Sequence, residues 1–276
     1  MRSFLRTFLG RPAGIVGLAL LGFVCLMAAL APVLYPASPW DMSGIPFSRP
    51  GENGMLLGAD TLGRDVASGI LHGARVSLLI GIASALAAVG IGVLLGCVAG
   101  YAGGLVDMAI VRFTEIFQTI PSFVLAILMV AILTPSLGTI ILAIALVSWP
   151  PLARLTRAQV MSIAQREFVQ AARCQGQSTV SIVVRHVLPN AISPVIVAGS
   201  LTVAAAILIE AALSFMGLGD PNFMSWGYMI GSGRTVIRQA WWMSVFPGVA
   251  ILLTVVAINL VGEALNDALN PRISRA

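Results

Sequence analysis

The chain has 276 residues, of which 58% are hydrophobic and only 10% are charged, and its formal net charge is +5. Soluble domains usually carry about 25% charged residues, so this composition excludes a soluble globular domain and is typical of a polytopic membrane protein. All 16 basic residues are arginine. Because a Walker A phosphate loop requires a lysine, any ATP that drives this protein must bind to another chain.

The first apolar run follows a basic N-terminal segment, residues 1–12. A cleaved signal peptide has the same order of charges. The run from Ala13 to Leu34 is nevertheless long enough to cross a hydrocarbon core of roughly 30 Å, and no small-x-small cleavage site directly follows it. We therefore predict a retained first transmembrane helix.

Hydropathy predicts six transmembrane helices within residues 13–265, an all-α polytopic fold, and a short tail at residues 266–276. The predicted spans are Ala13–Leu34, Val76–Ala99, Met108–Leu133, Thr139–Leu155, Ala191–Leu213 and Val245–Leu265. A polar segment at residues 35–75 separates the first two spans, and a cationic loop at residues 161–189 separates the fourth from the fifth. Small residues at every fourth position of the second span predict close packing against another helix; they are Ala88, Gly92, Gly96 and Gly100.

The arginines are distributed unevenly between the two sides of this predicted bundle. With the N-terminus in the cytoplasm, the inner side carries Arg2, Arg6, Arg11, Arg112, Arg154, Arg157, Arg166, Arg173, Arg185, Arg272 and Arg275. The outer side then carries Arg49, Arg64, Arg75, Arg234 and Arg238. Because cytoplasmic loops are enriched in basic residues, we expect both termini and the loop at residues 161–189 to be cytoplasmic.

The cysteines and histidines are too scattered to predict a metal centre, a disulfide or a catalytic site. Cys25 and Cys97 lie in apolar runs and Cys174 lies in the cationic loop, with no CxxC spacing among them. His72 and His186 are far apart and lack an HExxH context. We therefore expect no metal and no enzymatic activity in this chain.

The cationic loop encodes two short helices. The stretch Gln165–Cys174 consists of good helix formers, and it places Phe168, Ala171 and Ala172 at i, i+3 and i+4, which predicts one face with a ring and two small residues. Gly176 can end this helix in a left-handed conformation.

The second loop helix has its own start and stop signals. Ser178 or Thr179 can cap it, and Pro189 is expected to stop it before the fifth span. A solvated connecting loop is one interpretation. Two capped helices that carry small residues favour the other, which is a surface that docks closely onto a cytoplasmic partner.

This loop resembles the EAA motif of the membrane subunits of ABC importers, which reads EAA, three residues, Gly, nine residues and then I-x-L-P. The corresponding residues are Gln170-Ala171-Ala172, Gly176 and His186-Val187-Leu188-Pro189, of which Gln170 and His186 depart from the pattern. The string EFVQAARCQG…RHVLPN is closer still to the peptide/nickel branch of that family. Three further segments resemble this branch in the same order, namely Leu57–Leu78, Glu210–Gly219 and Ala264–Arg272.

The resemblance implies the permease fold of a type I ABC importer, and a role as the C-type membrane subunit for peptides, nickel chelates or opines in a bacterial inner membrane. It also implies a second homologous permease, two cytoplasmic ABC ATPases that bind ATP and Mg, and an extracytoplasmic solute-binding protein. This chain is then expected to bind no cofactor itself, and to contact membrane lipid but no nucleic acid. The coupling helix that docks onto an ATPase would be formed by Glu167, Gln170, Ala171, Ala172, Gly176, Leu188 and Pro189.

Few polar residues lie inside the predicted spans. Arg112, Glu115 and Gln118 recur on one face of the third span, where an ion pair near the cytoplasmic mouth and a contact with substrate are both open, and Pro121 can kink the helix. Glu210 has apolar neighbours, so exposure to lipid would cost roughly 3 kcal/mol. We therefore predict that Glu210 finds a partner or water inside the assembly.

A polar cluster precedes the second span on the predicted outer side, and it consists of Asp60, Gly63, Arg64 and Asp65. These residues can cap an interfacial helix, or they can face the second permease or the binding protein. Two other protein classes remain as alternatives. A secondary transporter or channel-like protein would act without an ATPase and often shows inverted repeats, whereas a membrane enzyme would need a cluster of catalytic groups.

Overall fold

The computed structural model describes Phe8 and residues 10–269, and within this part the chain is folded into helices. In chain order the helices are α1 (Pro12–Leu34), α2 (Val66–Ala102), α3 (Gly104–Thr119), α4 (Ser122–Leu133), α5 (Leu137–Ala164), α6 (Glu167–Cys174), α7 (Thr179–Ile182), α8 (Leu188–Phe215), α9 (Trp226–Gly233) and α10 (Trp242–Leu269). A π-helical turn, Val183–Val187, joins α7 to α8. The terminal arginines assigned to the inner side lie outside the described residues, namely Arg2, Arg6, Arg272 and Arg275.

Five helical rods in the described part are long and apolar enough to cross a membrane: α1, α2, α5, α10 and the continuous helix that runs from α7 into α8. Helices α3 and α4 together qualify as a sixth span. The centre of the bundle is formed by α2, α5 and α8, while α1 packs mainly against α10. The six-span prediction is therefore matched by length and composition.

The third span is broken rather than kinked. Helices α3 and α4 meet at a bend of 81°. Ile120 at the break has φ −92° and ψ 131°, which is the extended conformation that a following proline imposes. Because Pro121 also lacks an N–H to donate, the α3 hydrogen-bond ladder stops there and α4 starts in a new direction.

Helices α2 and α5 pack along the predicted stripe of small residues. A Cβ atom at Gly92 would lie 2.7 Å from Leu152 Cβ, and one at Gly96 would lie 2.5 Å from the carbonyl oxygen of Ala153. Side chains do not fit at such distances, so the two backbones approach closely, as small residues in a membrane helix permit. This prediction is confirmed.

Helices α2 and α5 extend furthest beyond the apolar runs that predicted them. Helix α2 begins at Val66 rather than Val76, because the Asp65 carboxylate caps it by accepting a hydrogen bond from the Ala67 N–H at 2.8 Å. Helix α5 continues to Ala164, beyond the predicted end. Hydropathy marks the hydrocarbon-spanning part of a helix and misses the polar turns that flank it.

The prediction that Pro189 stops the second loop helix is wrong. Helix α7 passes through the π-helical turn into α8, so residues 179–215 form one continuous rod. The Leu188 N–H donates to the carbonyl oxygen of Val183, five residues earlier. This wider turn adjusts the hydrogen-bond pattern just before Pro189, which has no N–H of its own to donate.

Candidate functional site

The loop between α5 and α8 forms a compact helical hairpin, defined here as residues 167–189. Helix α6 buries Val169 and Ala172, which are 0% and 4% exposed. They pack into a core with apolar side chains from α2, α5 and the start of α8, including Cys97 and Val160. Their i, i+3 spacing places both on the inner face of α6.

This inner face corrects the predicted contact surface. Phe168 is 42% exposed and Ala171 is exposed, whereas Ala172 is buried in the chain's own core. The sequence pattern grouped all three on one face because they lie at i, i+3 and i+4. In the structure Val169 enters that core together with Ala172, and the ring of Phe168 remains outside it.

The outer face of the hairpin is therefore built from other residues. Glu167, Phe168, Gln170, Ala171 and Gly176 are all exposed on it. The Gln170 side chain also donates from Nε2 to the carbonyl oxygen of Ala164 at 3.1 Å. Because Ala164 is the last residue of α5, this bond connects the hairpin directly to that transmembrane helix.

The turn between the two hairpin helices has the predicted geometry. Gly176 has φ +73°, in the left-handed region that glycine adopts without strain, and a Cβ there would meet no atom within 4 Å. The Ser178 hydroxyl caps α7 by accepting from the Ser181 N–H at 3.4 Å. His186 and the Gln177 side chain are 3.0 Å apart and hydrogen-bonded, a contact that the sequence pattern did not predict.

A cavity of about 670 Å³ opens beside the hairpin. Its wall combines the apolar Phe168 and Pro189 with polar side chains from α5, α8 and α10, namely Gln159, Ser162, Asn190, Ser193 and Asn266. Leu188 does not line it; this side chain is partly buried and packs against the hairpin core. The exposed ring of Phe168 therefore lies at the edge of this cavity.

Glu210 lies on α8 and is only 1% exposed. Its Oε1 atom accepts hydrogen bonds from the Ser214 hydroxyl at 2.8 Å and from the Ser225 hydroxyl at 2.6 Å. Ser225 also caps α9, because its hydroxyl oxygen accepts from the Tyr228 N–H at 3.1 Å. The prediction that Glu210 finds a polar partner is confirmed for its Oε1 atom, which links α8 to the start of α9. Its Oε2 atom is buried with no hydrogen-bond partner among the described residues.

Comparison with known protein families shows where this chain belongs. The model of the binding-protein-dependent transport system inner membrane component matches residues 92–275. The chain belongs to this family. A second model, the N-terminal transmembrane domain of oligopeptide transport permease C, matches residues 1–48, so the two together span both ends of this permease.

Individual relatives agree with this membership. The permease is 40% identical to the di/tripeptide transport system permease protein DppC of Pseudomonas aeruginosa, over 100% of this chain and 93% of that protein. It is 40% identical to the dipeptide transport system permease protein DppC of Bacillus subtilis, over 94% of this chain and 82% of that protein. These names describe transport components rather than enzymes.

Solved structures show the same fold. A chain of the MetNI methionine ABC transporter, in an inward-facing conformation, aligns with a TM-score of 0.60 and 19% identity, over 73% of the permease and 96% of its own length. A chain of an amino acid ABC transporter aligns with a TM-score of 0.53 and 16% identity, over 73% and 94%. The predicted ABC importer permease fold is confirmed.

The polar residues of the broken span lie on the surface of the permease. Arg112 and Glu115 form an ion pair at 2.8 Å on α3, with side chains that are 76% and 53% exposed, and Gln118 is exposed on the following turn. A second pair was not predicted: Arg157 on α5 donates to both carboxylate oxygens of Asp107 at 2.5 and 2.6 Å. This bidentate pair connects the start of α3 to α5.

The polar cluster that precedes α2 is engaged in contacts within the permease. Asp60 accepts hydrogen bonds from the N–H groups of Leu62 and Arg64, both at 2.8 Å. Arg64 stacks 4.8 Å above the ring of Trp40, and Gly63, with φ +80°, lies against the backbone of Gly44. Together with the cap by Asp65, these contacts give the cluster a structural role at the start of α2.

Proposed function

We propose that this permease is one transmembrane subunit of an ATP-driven importer of peptides. The observation that carries this proposal is the 40% identity, over the whole chain, to a di/tripeptide transport permease. The complex would contain a second homologous permease, two cytoplasmic ATPases that bind ATP and Mg, and an extracytoplasmic solute-binding protein. The permease would bind no cofactor of its own.

The hairpin is the proposed contact with an ATPase. Its outer face offers the ring of Phe168, the small side chain of Ala171 and the turn at Gly176, beside a cavity of about 670 Å³. Its inner face is fixed to the bundle by Val169 and Ala172. A partner that moves the outer face therefore moves the hairpin as one unit.

Two connections can pass this motion into the membrane. The Gln170 side chain holds the end of α5, and the π-helical turn continues the hairpin into α8 without a break. Glu210 lies further along the same rod and bonds to the cap of α9. Displacement of the hairpin would thus reach α9 through a rigid helix, which is the mechanical form that alternating access requires.

The break between α3 and α4 is the proposed lining of the transport path. Discontinuous helices expose backbone groups that lipid cannot satisfy, so such breaks are found where they face protein or a water-filled cavity. Arg112, Glu115 and Gln118 lie on α3 just before this break. They would give the path polar contacts for the charged termini of a peptide.

The proposed location is a bacterial inner membrane, with the termini and the hairpin in the cytoplasm. Cysteine labelling in intact cells tests this orientation. The native Cys174 on the hairpin is exposed and so is Ser43 in the opposite loop. With Cys25 replaced by serine, a membrane-impermeant maleimide should label Ser43→Cys and leave Cys174 unmodified; the reverse pattern would invert the topology.

Transport in proteoliposomes tests the substrate. The permease, co-expressed with its proposed partner subunits, should accumulate a labelled dipeptide only with ATP and the binding protein, and unlabelled peptides should compete. Competition by a nickel chelate or an opine, and not by peptides, would replace the peptide assignment. Uptake by the permease alone would instead support a secondary transporter.

A further inference from the structure

An apolar groove of about 660 Å³ lies between the end of α2 and the junction of α7 with α8. Leu94, Val98 and Tyr101 line it from α2, and Val180 and Val184 line it from the opposite side. Val180 is 72% exposed and Val184 is 56% exposed. The groove is the size of a pocket for a small ligand, and in the described structure its apolar walls are open.

The groove continues an apolar surface on the transmembrane part of α2. Exposed apolar side chains recur along this helix at intervals of three, four, eight and four residues, and the exposed Gly90 lies midway in the longest interval; they are Leu79, Ile82, Leu86, Leu94 and Val98. This spacing places them on a single face. An acyl chain that lies along this face can therefore enter the groove at its membrane end.

The other end of the groove is cationic. The Arg173 guanidinium lies 5.0 Å from the ring centre of Tyr101, and its Nε donates to the Tyr101 hydroxyl at 3.3 Å. Arg185 lies in the π-helical turn, next to Val184. Within residues 10–269, neither arginine has a carboxylate within ion-pair distance.

We propose that this groove binds one anionic phospholipid, with an acyl chain between Leu94 and Val184 and the phosphate of the headgroup on Arg173. The stacked Tyr101 orients the guanidinium, so that its Nη groups are free to donate to phosphate oxygens. The cytoplasmic leaflet supplies such lipids, and basic pockets between helices on that side bind their headgroups. An apolar groove that ends beside the Arg173 guanidinium, which has no ion-pair partner among the described residues, matches the two parts of a phospholipid, whereas a soluble partner would match only the cationic end.

Lipid retention by the purified importer complex tests this site. The complex is stripped of lipid in detergent, titrated with dioleoyl phosphatidylglycerol or dioleoyl phosphatidylcholine, and measured by native mass spectrometry. The wild type should retain phosphatidylglycerol in preference to phosphatidylcholine. Arg173→Gln should weaken that retention about fivefold, the effect of one basic residue at an anionic surface, and Arg173→Lys should restore most of it.

Two leucines on α2 provide a matched pair for the apolar end. Leu94 lines the groove and is 65% exposed, whereas Leu86 is 67% exposed on the same face and does not line it. Leu94→Trp should displace the lipid and Leu86→Trp should not. Equal retention of the two lipids, or equal behaviour of the two variants, overturns the proposal. Loss of a protein subunit in Leu94→Trp also overturns it, because the groove would then belong to a protein interface.

Discussion

The hydrogen bonds of Glu210 predict a specific loss of stability when the carboxylate is removed. In Glu210→Leu, two buried hydroxyl donors lose their acceptor, one on Ser214 and one on Ser225. Ser214 is helical and can turn its hydroxyl to a carbonyl oxygen one turn earlier. Ser225 precedes α9 and has no helical turn before it to supply a carbonyl oxygen. Most of the lost stability is therefore expected at the contact between α8 and α9.

A buried hydroxyl without a partner costs about 1–3 kcal/mol. For Glu210→Leu we therefore expect the free energy of unfolding to fall by about 2 kcal/mol. Because 1 kcal/mol shifts the midpoint of thermal unfolding by about 2–4 °C in a chain of this size, the melting temperature should fall by about 6 °C. The melting temperature of Glu210→Gln should fall by less, because the amide oxygen can accept both hydrogen bonds. Ser225→Ala in the Glu210→Leu background should then add little beyond the loss of the α9 cap.

The buried Cys97 provides the assay. Cys25 and Cys174 are exposed, so replacing both with serine leaves a single thiol that reacts with a fluorogenic maleimide only when the bundle opens. Melting temperatures of the purified permease are then compared for the wild type, Glu210→Gln and Glu210→Leu. If Glu210→Leu melted at or above the wild-type temperature, the idea that the two serine bonds stabilise α9 would be refuted.

The helix packing at Gly96, the helix cap at Asp65 and the two faces of α6 can each be tested by substitution. Gly96→Val should prevent α2 from packing on α5, because its Cβ would meet the Ala153 carbonyl oxygen. The control Gly90→Val, where a Cβ has no atom within 4 Å, should express at the wild-type level. Equal yields of the two variants after detergent extraction would contradict this. Asp65→Ala should lower the melting temperature by removing the α2 cap, worth about 1 kcal/mol. Asp65→Ser should restore the melting temperature and leave uptake normal. Lost uptake in Asp65→Ser at the wild-type melting temperature would instead indicate that the carboxylate contacts the binding protein. Ala171→Asp should keep the fold and lose ATPase copurification, whereas Ala172→Asp should unfold the hairpin core, and equal melting temperatures for the two would refute the assignment of inner and outer faces.

The spans and the family could be predicted from the sequence because both depend on local patterns. Apolar runs of sufficient length predict membrane helices, and the small-residue stripe ending at Gly100 predicted the α2–α5 contact. The left-handed turn at Gly176 and the cap at Ser178 were also predictable, because each depends on one residue and its immediate neighbours.

The remaining features depend on contacts between distant segments. Nothing local to Asp107 indicates that Arg157 will face it, or that Ser225 will donate to Glu210. The orientation of α6 was mispredicted because helical spacing groups residues into a face but does not say which face is buried; the core offered by α2 and α5 selects Val169. Pro189 was mispredicted because a π-helical turn, which depends on its surroundings, replaced the expected helix end.

We propose that the hairpin passes the motion of an ATPase into the transmembrane helices, and Gly176 offers the most direct test of this coupling. A Cβ at Gly176 meets no atom of this chain within 4 Å, and the same is true of Gly54, whose φ of +77° is close to the +73° of Gly176. A side chain in this left-handed conformation costs about 1–3 kcal/mol. Gly176→Val and Gly54→Val therefore carry a similar backbone strain, but only the first lies on the proposed contact.

The measurement is the amount of ATPase that copurifies with each tagged permease variant, together with peptide uptake per ATP hydrolysed in proteoliposomes. Gly176→Val should insert normally, retain less ATPase and transport less peptide per ATP, while Gly54→Val should match the wild type in both quantities. Wild-type values for Gly176→Val would contradict the account, because a docked hairpin has no room at its turn for an added side chain.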